Sequence, residues 1–386
     1  MVKFIGRRLL QMLLLFIVYL TVIFFLLNAQ PGDISQQLVA NPNLPPEARE
    51  MVRERLGLNN PLWLQYLNYI KNFFTGNLGL SFIFYPRPVI DILLERIPRT
   101  LVLFFTATIL AYYMGFTLGK LLAWRRGAIS EYAVTVGGVF LYTVFYPWFG
   151  LLMLWLFGFI LGLVPLGKFI NPGFWLGSPF SVNSVFTRMI VTTVLASLAL
   201  GALIAIARRL VPDHRSRRRV LQVGAAAIGA AFLLYWFLSP MRPYATDIAY
   251  HLILPIFTLS LIVFAGIMLL TRSSMLETLR EDYILTARAK GLPSDVIRDR
   301  HAARNALLPV VTSLVLALAF VIGGGIITES VFSWPGMGEI LLEAATQQDI
   351  PLAIGALSFI GVLALLGHLL ADILYMFLDP RIRYQT

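Results

Sequence analysis

Eight stretches of this chain are long and apolar enough to cross a bilayer, which takes about 20 residues of helix, and that pattern removes most soluble folds from consideration. They cover 9–27, 100–119, 132–164, 189–207, 220–238, 252–270, 306–328 and 351–371. In hydrocarbon each backbone N–H and C=O must be satisfied within its own segment or in a closed barrel. Continuous runs of this length, without strand alternation, specify helices. Hydrophobic residues make up 58% of the chain and charged residues 13%, against about 45–50% and 25% in a soluble domain. The expected fold class is an all-α polytopic membrane protein. The third stretch is too long for one straight span and contains Pro147, so a tilt, a kink or a half-buried end is expected there.

The first stretch follows Lys3, Arg7 and Arg8 and lacks a small-residue cleavage site, so it reads as a retained helix with the N-terminus inside. Counting from it, the connections assigned to the inside hold Arg125 and Arg126, then Arg208, Arg209, Arg215, Arg217, Arg218 and Arg219, then the region from Arg272 to Arg304, and finally Arg381 and Arg383. The short outer connections hold only Lys168, Arg188 and Arg242. The net charge of +11 therefore follows the positive-inside rule and is not read as a nucleic-acid footprint. The cluster at 208–219 is read first as a topology signal, with binding of anionic lipid headgroups or nucleic acid as the alternatives. Eight spans place the C-terminus inside.

Residues 31–99 form the one long polar connection assigned to the outside. Two helices are expected in it, one from Pro45 and Pro46 to a stop at Gly57, the other from Pro61 to Phe74 with Trp63, Tyr66, Leu67 and Ile70 on one stripe. Gly76 and Gly79 then break the chain before a third helix from Pro88 to Ile97. Such a segment is too short for a large core of its own and is expected to pack on the membrane part.

The most informative polar stretch runs from Tyr283 to Pro309. Leu276, Leu279, Tyr283 and Ala287 recur at helical spacing, Gly291 stands where a helix end favours positive φ, and Ser294 is placed to cap a second helix. The expected result is a short helical elbow projecting into water. It resembles the coupling loop of ABC importer permeases through Thr286, Ala287, Ala289, Gly291, Leu308 and Pro309. The glutamate of the general pattern is absent and the glycine-to-proline spacing is longer than in sugar or amino-acid permeases. Both departures are typical of the peptide and nickel permease branch, with its ARAKGL and RHALRNALLP signatures; here the chain reads ARAKGL from Ala287 and RHAARNALLP from Arg300. The segments PGD from Pro31, LGLNNPLWLQYLNYI from Leu56, GNLGLSF from Gly76, RPVIDILLERIPRTL from Arg87, the run from Glu329 through SVFSWPGMGEILLEAATQQDIPLAIGAL, and DILYMFLDPRIRY from Asp372 extend the resemblance. Only about 164–249 stands outside it.

The resemblance implies a six-span type I permease core. The pair 189–207 and 220–238, rich in Ala, Gly and Ser, reads as an added hairpin suited to close packing. The expected organisation is a first transmembrane helix over 1–30, an extracytoplasmic cap over 31–99, and a permease domain over 100–386. That domain carries the hairpin at about 186–240 and the coupling loop at about 272–308. The resemblance further implies a second homologous permease, two ABC ATPase subunits, an extracytoplasmic substrate-binding protein, and location in a prokaryotic plasma membrane. ATP and magnesium belong to the ATPases, and no cofactor is expected on this chain. The residues expected to transmit the ATPase motion are Tyr283, Thr286, Ala287, Arg288, Ala289, Gly291, Leu292 and Arg298. Trp334, Pro335 and Gly336 are expected in an outer loop near the pathway mouth, since Pro335 and Gly336 make a tight-turn pair. Peptides rank first as substrate, with nickel chelates and oligosaccharides as alternatives.

Several residues are candidates for chemistry, each with a structural role as the competing reading. His368 and Asp372 stand four apart, as a proton relay in an ion-coupled secondary transporter would require; packing or interface use is the favoured reading. Gly323, Gly324 and Gly325 are read as close helix contact within the seventh stretch rather than a gate. His214, His251 and His301 have no metal-ligand spacing, and cysteine is absent, so no thiolate site or disulfide is possible. Gly119-Lys120 and Gly167-Lys168 lack the upstream glycine and following Ser/Thr of a phosphate-binding loop. No catalytic constellation is expected, and ATP hydrolysis belongs on another chain.

Overall fold

The structure, a computed structural model, describes residues 2–28, 60–321 and 324–378. The helix expected between Pro45 and Gly57, the PGD segment, Gly323, Arg381 and Arg383 lie outside the described residues. Among those described, the chain is helical throughout, with only an isolated bridge between Leu80 and Pro88. The helices are α1 (Val2–Asn28), α2 (Leu62–Phe74), α3 (Val89–Trp124), α4 (Ile129–Thr143), α5 (Tyr146–Met153), α6 (Pro172–Trp175), α7 (Val182–Leu210), α8 (His214–Leu238), α9 (Arg242–Thr278), α10 (Asp282–Ala289), α11 (Ser294–Val296), α12 (Ala303–Val321), α13 (Ile326–Val331), α14 (Met337–Thr346) and α15 (Ile350–Leu378). A π-helical turn, Leu154–Ile160, follows α5, and another, Ile297–Ala302, joins α11 to α12.

Seven of these helical segments are long and apolar enough to span a membrane. The third stretch is not straight: α4 and the α5 segment are bent by 108° across the two residues Val144 and Phe145. Pro147 stands in the first turn of α5, where its missing N–H costs nothing, so the break falls just before it.

Two expected boundaries and the facing of one helix are corrected. The helix expected to end at Ile97 instead runs into the second apolar stretch as one 36-residue helix, with Pro98 inside it. The seventh stretch is not one helix to Thr328, because α12 stops at Val321 and α13 starts anew at Ile326. Gly324, at φ +71°, lies in that break, and a Cβ on Gly325 would stand 2.6 Å from Phe104 Cζ. Gly324 and Gly325 thus stand at the break between two helices and, as expected, in close contact with a neighbouring helix, α3, at Thr100 and Phe104. On α2, Tyr66, Tyr69, Ile70 and Phe73 are half-buried while Trp63 and Leu67 are exposed, so half of the expected stripe faces away. Its partners are α1 and α15, through Tyr66 Oη and Thr21 Oγ1 at 2.8 Å and Tyr69 Oη and Ser358 Oγ at 3.1 Å.

The centre of the molecule is the seam between α3 and α9. Gly115 and Gly119, four apart on α3, let the two backbones close up: a Cβ would stand 2.9 Å from Phe264 O at the first and 2.5 Å from Met268 O at the second. Ser260 Oγ, buried, donates to Ala107 O at 3.1 Å. Small residues at this spacing are how membrane helices gain close van der Waals contact when apolar lipid offers no hydrophobic drive. By contrast, α7 and α8 pack chiefly on each other, and the central membrane-length windows of both bury no residue.

Candidate functional site

Two built regions stand at opposite ends of α3 and α12. One is the elbow. The regular spacing of Leu276, Leu279, Tyr283 and Ala287 does not make one helix: α9 ends at Thr278, and α10 starts at Asp282 after a turn. What the spacing records is a shared apolar cluster, since Leu276 and Leu279 pack with Met275, Ile284, Ala287, Leu292, Ile297, Ala302, Ala303 and Ala306. Burying this set holds α10 and the following π turn onto the feet of α9 and α12, the stabilisation that an eight-residue helix lacks alone.

The end of α10 is fixed by its backbone. Leu292 N–H donates to Ala287 O at 3.3 Å and Gly291 N–H to Arg288 O at 2.9 Å, the paired bonds of a Schellman close. Gly291 has the required positive φ of +70°, as its sequence position predicts, and Leu292 packs in the same cluster as Ala287. The expected cap at Ser294 does not form: Pro293 holds the N-cap position and no side chain caps this helix. Pro293 is already extended, at ψ 144°, so the chain enters α11 one residue earlier than serine capping would need.

Of the residues assigned to coupling, Ala287 is buried and Leu292 half-buried, so they hold the elbow rather than face a partner. Thr286, Arg288, Ala289 and Gly291 are exposed. Tyr283 is 37% exposed and its hydroxyl accepts from Asn305 Nδ2 at 2.8 Å, tying α10 to α12. Arg298 is engaged: Nε and Nη2 donate to Asp299 at 3.0 and 2.7 Å, while Lys120 of α3 meets the same carboxylate at 2.9 Å. Sequence reasoning missed Leu285, which is 58% exposed beside Thr286, Arg288 and Ala289. A leucine on the polar side of a short amphipathic helix was the available signal.

The other region is built around Glu329, fully buried. Its Oε1 accepts from Thr100 Oγ1 at 2.8 Å, and its Oε2 from the N–H groups of Gly338 and Glu339 at 2.6 and 2.9 Å. Met337 N–H donates to Thr100 Oγ1 at 2.7 Å. The carboxylate thus satisfies the open N–H groups at the start of α14 and pins them to α3. Burial raises its pKa to about 7, against these hydrogen bonds. Gly336 and Gly338 are required by this approach: a Cβ would stand 2.4 Å from Glu329 Cδ or 2.7 Å from Ile326 N.

Trp334 and Gly336 are therefore not an exposed loop. Trp334 is 0% exposed, with its indole N–H donating to Arg99 O at 3.1 Å and its ring edge-on to Phe169 at 4.8 Å. Pro335 is half-buried. Phe169 and Arg99 pack over the segment that Trp334, Pro335 and Gly336 form, a contact that turn residues by themselves do not announce. Asp349 closes the same end. Both of its oxygens are used, Oδ2 by Ser81 Oγ and the N–H groups of Phe82 and Ile83, Oδ1 by Leu352 N–H at 3.1 Å.

The remaining candidates are structural. Asp372 pairs with Arg8 at 3.4 Å and His368 Nδ1 meets Ala364 O at 2.8 Å, so the two are engaged separately and not as a relay. His251 Nδ1 meets Asp247 O at 2.8 Å. Among the described residues no group of His, Asp and Glu could hold a metal ion.

Among the described residues an all-helical architecture with several membrane-length helices is that of a polytopic membrane protein. The family described as binding-protein-dependent transport system inner membrane component matches residues 220–384, and its N-terminal counterpart matches 1–104. The oligopeptide transport system permease protein AppB of Bacillus subtilis (strain 168) is 30% identical over 384 residues, covering 100% of both chains. The di/tripeptide transport system permease protein DppB of Pseudomonas aeruginosa (strain UCBPP-PA14) is 31% identical over 385 residues, and the dipeptide transport system permease protein DppB of Escherichia coli (strain K12) 31% over 388, with the same full coverage. The chain belongs to the binding-protein-dependent transport system inner membrane components and is a permease of the inner membrane.

Proposed function

We propose that this chain is one of two membrane subunits of an ATP-driven peptide importer, with a homologous permease completing the pathway and an extracytoplasmic binding protein delivering di- or oligopeptides. Two ATPase subunits carry the ATP and magnesium, and this chain catalyses nothing itself. The single observation behind the reading is the elbow: a short helix with an exposed face of Leu285, Thr286, Arg288 and Ala289, rigidly seated by its own buried face. Closure of an ATPase dimer against it would move α9 and α12 together, because Ser274 of α9 donates to Ala306 O of α12 at 3.1 Å and the cluster welds both to α10. The peptide assignment rests on the names of the relatives. Transport of oligosaccharides or nickel chelates by the same architecture is the alternative.

In this reading the bent α4–α5 pair counts as one span, giving eight, with both termini and the elbow in the cytoplasm and the Glu329 region outside. The helices α7 and α8 form a hairpin added to a six-span core. The described outer segment from residue 60 to Pro88 packs on α1 and α15 and would stand beside the binding protein.

The test is Ala287→Pro. Proline at this position removes an N–H bond in an eight-residue helix and clashes with the carbonyl of Tyr283, at a cost of about 3 kcal/mol or more. Peptide uptake is expected to be abolished while membrane insertion is retained. Unchanged uptake by a correctly inserted variant refutes the assignment.

A further inference from the structure

The link between α7 and α8 carries Arg208, Arg209, Arg215, Arg217, Arg218 and Arg219 against one acid, Asp213. The acid is used as the N-cap of α8, its Oδ2 accepting from Ser216 N–H at 2.8 Å. All the arginines are exposed except Arg217, which is half-buried, and none forms an ion pair with a described residue. Six uncompensated guanidinium groups thus stand within about two helical turns of one tip.

The two helices are held to the body at their other ends. Val185 and Phe186 of α7 are buried with Phe169, Trp175, Ile248, Leu252 and Trp334, and Trp236 of α8 joins the same cluster. No apolar cluster of the described residues includes a residue between 193 and 228. The tip half therefore stands away from the packed core. Directly above the arginines lies an apolar collar, with Ile206 55%, Leu210 72%, Val220 41% and Val223 70% exposed. A collar of this kind belongs in hydrocarbon, which sets the arginines at the level of the lipid headgroups.

We propose that this tip is a docking site for anionic phospholipid headgroups of the cytoplasmic leaflet, and that the headgroups anchor the free end of the hairpin. The occupant follows from charge and from height. Phosphodiesters lie at the depth the collar fixes, and guanidinium forks bind them bidentately. The exposed collar beside the arginines is itself matched by acyl chains, which a lipid supplies together with the phosphate and an acidic protein does not. The inference rests on the cytoplasmic orientation proposed above.

The complex would be purified into nanodiscs containing phosphatidylcholine and phosphatidylglycerol, and retained phosphatidylglycerol measured by native mass spectrometry after delipidation. The variant Arg215→Gln/Arg217→Gln/Arg218→Gln/Arg219→Gln is expected to lose retention by about fivefold for each arginine that touches a headgroup. The matching Lys variant is expected to keep most of it. Equal retention by wild type and the Gln variant overturns the proposal, as does loss of a protein subunit with lipid retention unchanged. Because the chain has no cysteine, Ser216→Cys tests orientation separately. Labelling of this site by an impermeant maleimide from the extracytoplasmic side would refute the orientation, whereas cytoplasmic labelling with unchanged retention would refute the docking site alone.

Discussion

Replacing Glu329 by Gln tests whether a buried carboxylate clamps α14 to α3. The group is held neutral more readily than usual, its pKa raised from 4.5 to about 7 by burial. The folded state therefore binds the proton more tightly than the unfolded state. Stability from this group is complete below about pH 4.5, declines as pH rises to about 7, and is constant above. A shift of this size corresponds to about 3 kcal/mol, the net of burial against the hydrogen bonds from Gly338, Glu339 and Thr100. Gln keeps one acceptor oxygen for Gly338 and Glu339 and cannot titrate. Burial also raises Glu339 and Asp349, so wild type alone would show a sloping background and the difference between the two proteins is the informative quantity. Thermal unfolding of the detergent-purified complex, followed at one scan rate from pH 4.5 to 8, should give a wild-type advantage at the acid end that shrinks or reverses by pH 8. Parallel curves for the two proteins would refute the argument. Glu329→Ala should be worse at every pH, since it leaves the buried donors without an acceptor at about 1–3 kcal/mol each.

Gly291→Val should weaken coupling without blocking assembly: no neighbour lies within 4 Å of an added Cβ, so the cost is the positive φ alone, at least about 1–2 kcal/mol, read as reduced uptake with the complex still formed. Trp334→Ala removes a fully buried side chain and its bond to Arg99 O, and should lower stability by about 3–5 kcal/mol, measured as loss of folded protein on mild heating. Gly119→Ala places a methyl 2.5 Å from Met268 O and should force α3 and α9 apart at about 1–3 kcal/mol. Its signature is ATP hydrolysis that continues while uptake falls; normal uptake would contradict a close α3–α9 seam.

Gly291 was legible because a helix end needing positive φ leaves a residue-type signature, and the apolar stretches were legible because bilayer crossing fixes length and composition. What escaped depended on partners remote in sequence. Hydropathy runs through 306–328 without pause, yet the helix breaks beside Gly324 and Gly325 because the chain there must turn against Phe104 and meet Thr100. Pro98 looks like a boundary from its chemistry alone but sits inside a helix held by contacts on both sides. Trp334, Pro335 and Gly336 announce a turn, and only Phe169, Arg99 and Glu329 make that turn a buried one. On the elbow, periodicity found the inward residues Leu276, Leu279 and Ala287 and gave no warning of the break after Thr278, since an apolar face can be assembled from two helices as readily as from one.

The two built ends are joined by one helix. Thr100 of α3 takes part in the Glu329 clamp, and Lys120 of the same helix reaches Asp299 in the elbow. Twenty residues of α-helix separate them, about 30 Å at 1.5 Å per residue, the thickness of the hydrocarbon layer. Along that length α3 is pressed to α9 at Gly115 and Gly119, and α9 continues into the elbow cluster through Met275. In the proposed coupling a displacement of α10 would be carried along this packed pair toward the clamp at the other end, with Pro255 inside α9 as the place where that helix can bend. Packed interfaces of this kind change by moving as bodies rather than by deforming. The breaks that the fold does contain, the 108° bend between α4 and α5 and the chain break between α12 and α13, lie beside this rod and not within it. In the proposed coupling these are the places where the surrounding helices would rearrange while α3 and α9 move together, carrying a push on the elbow to the clamp.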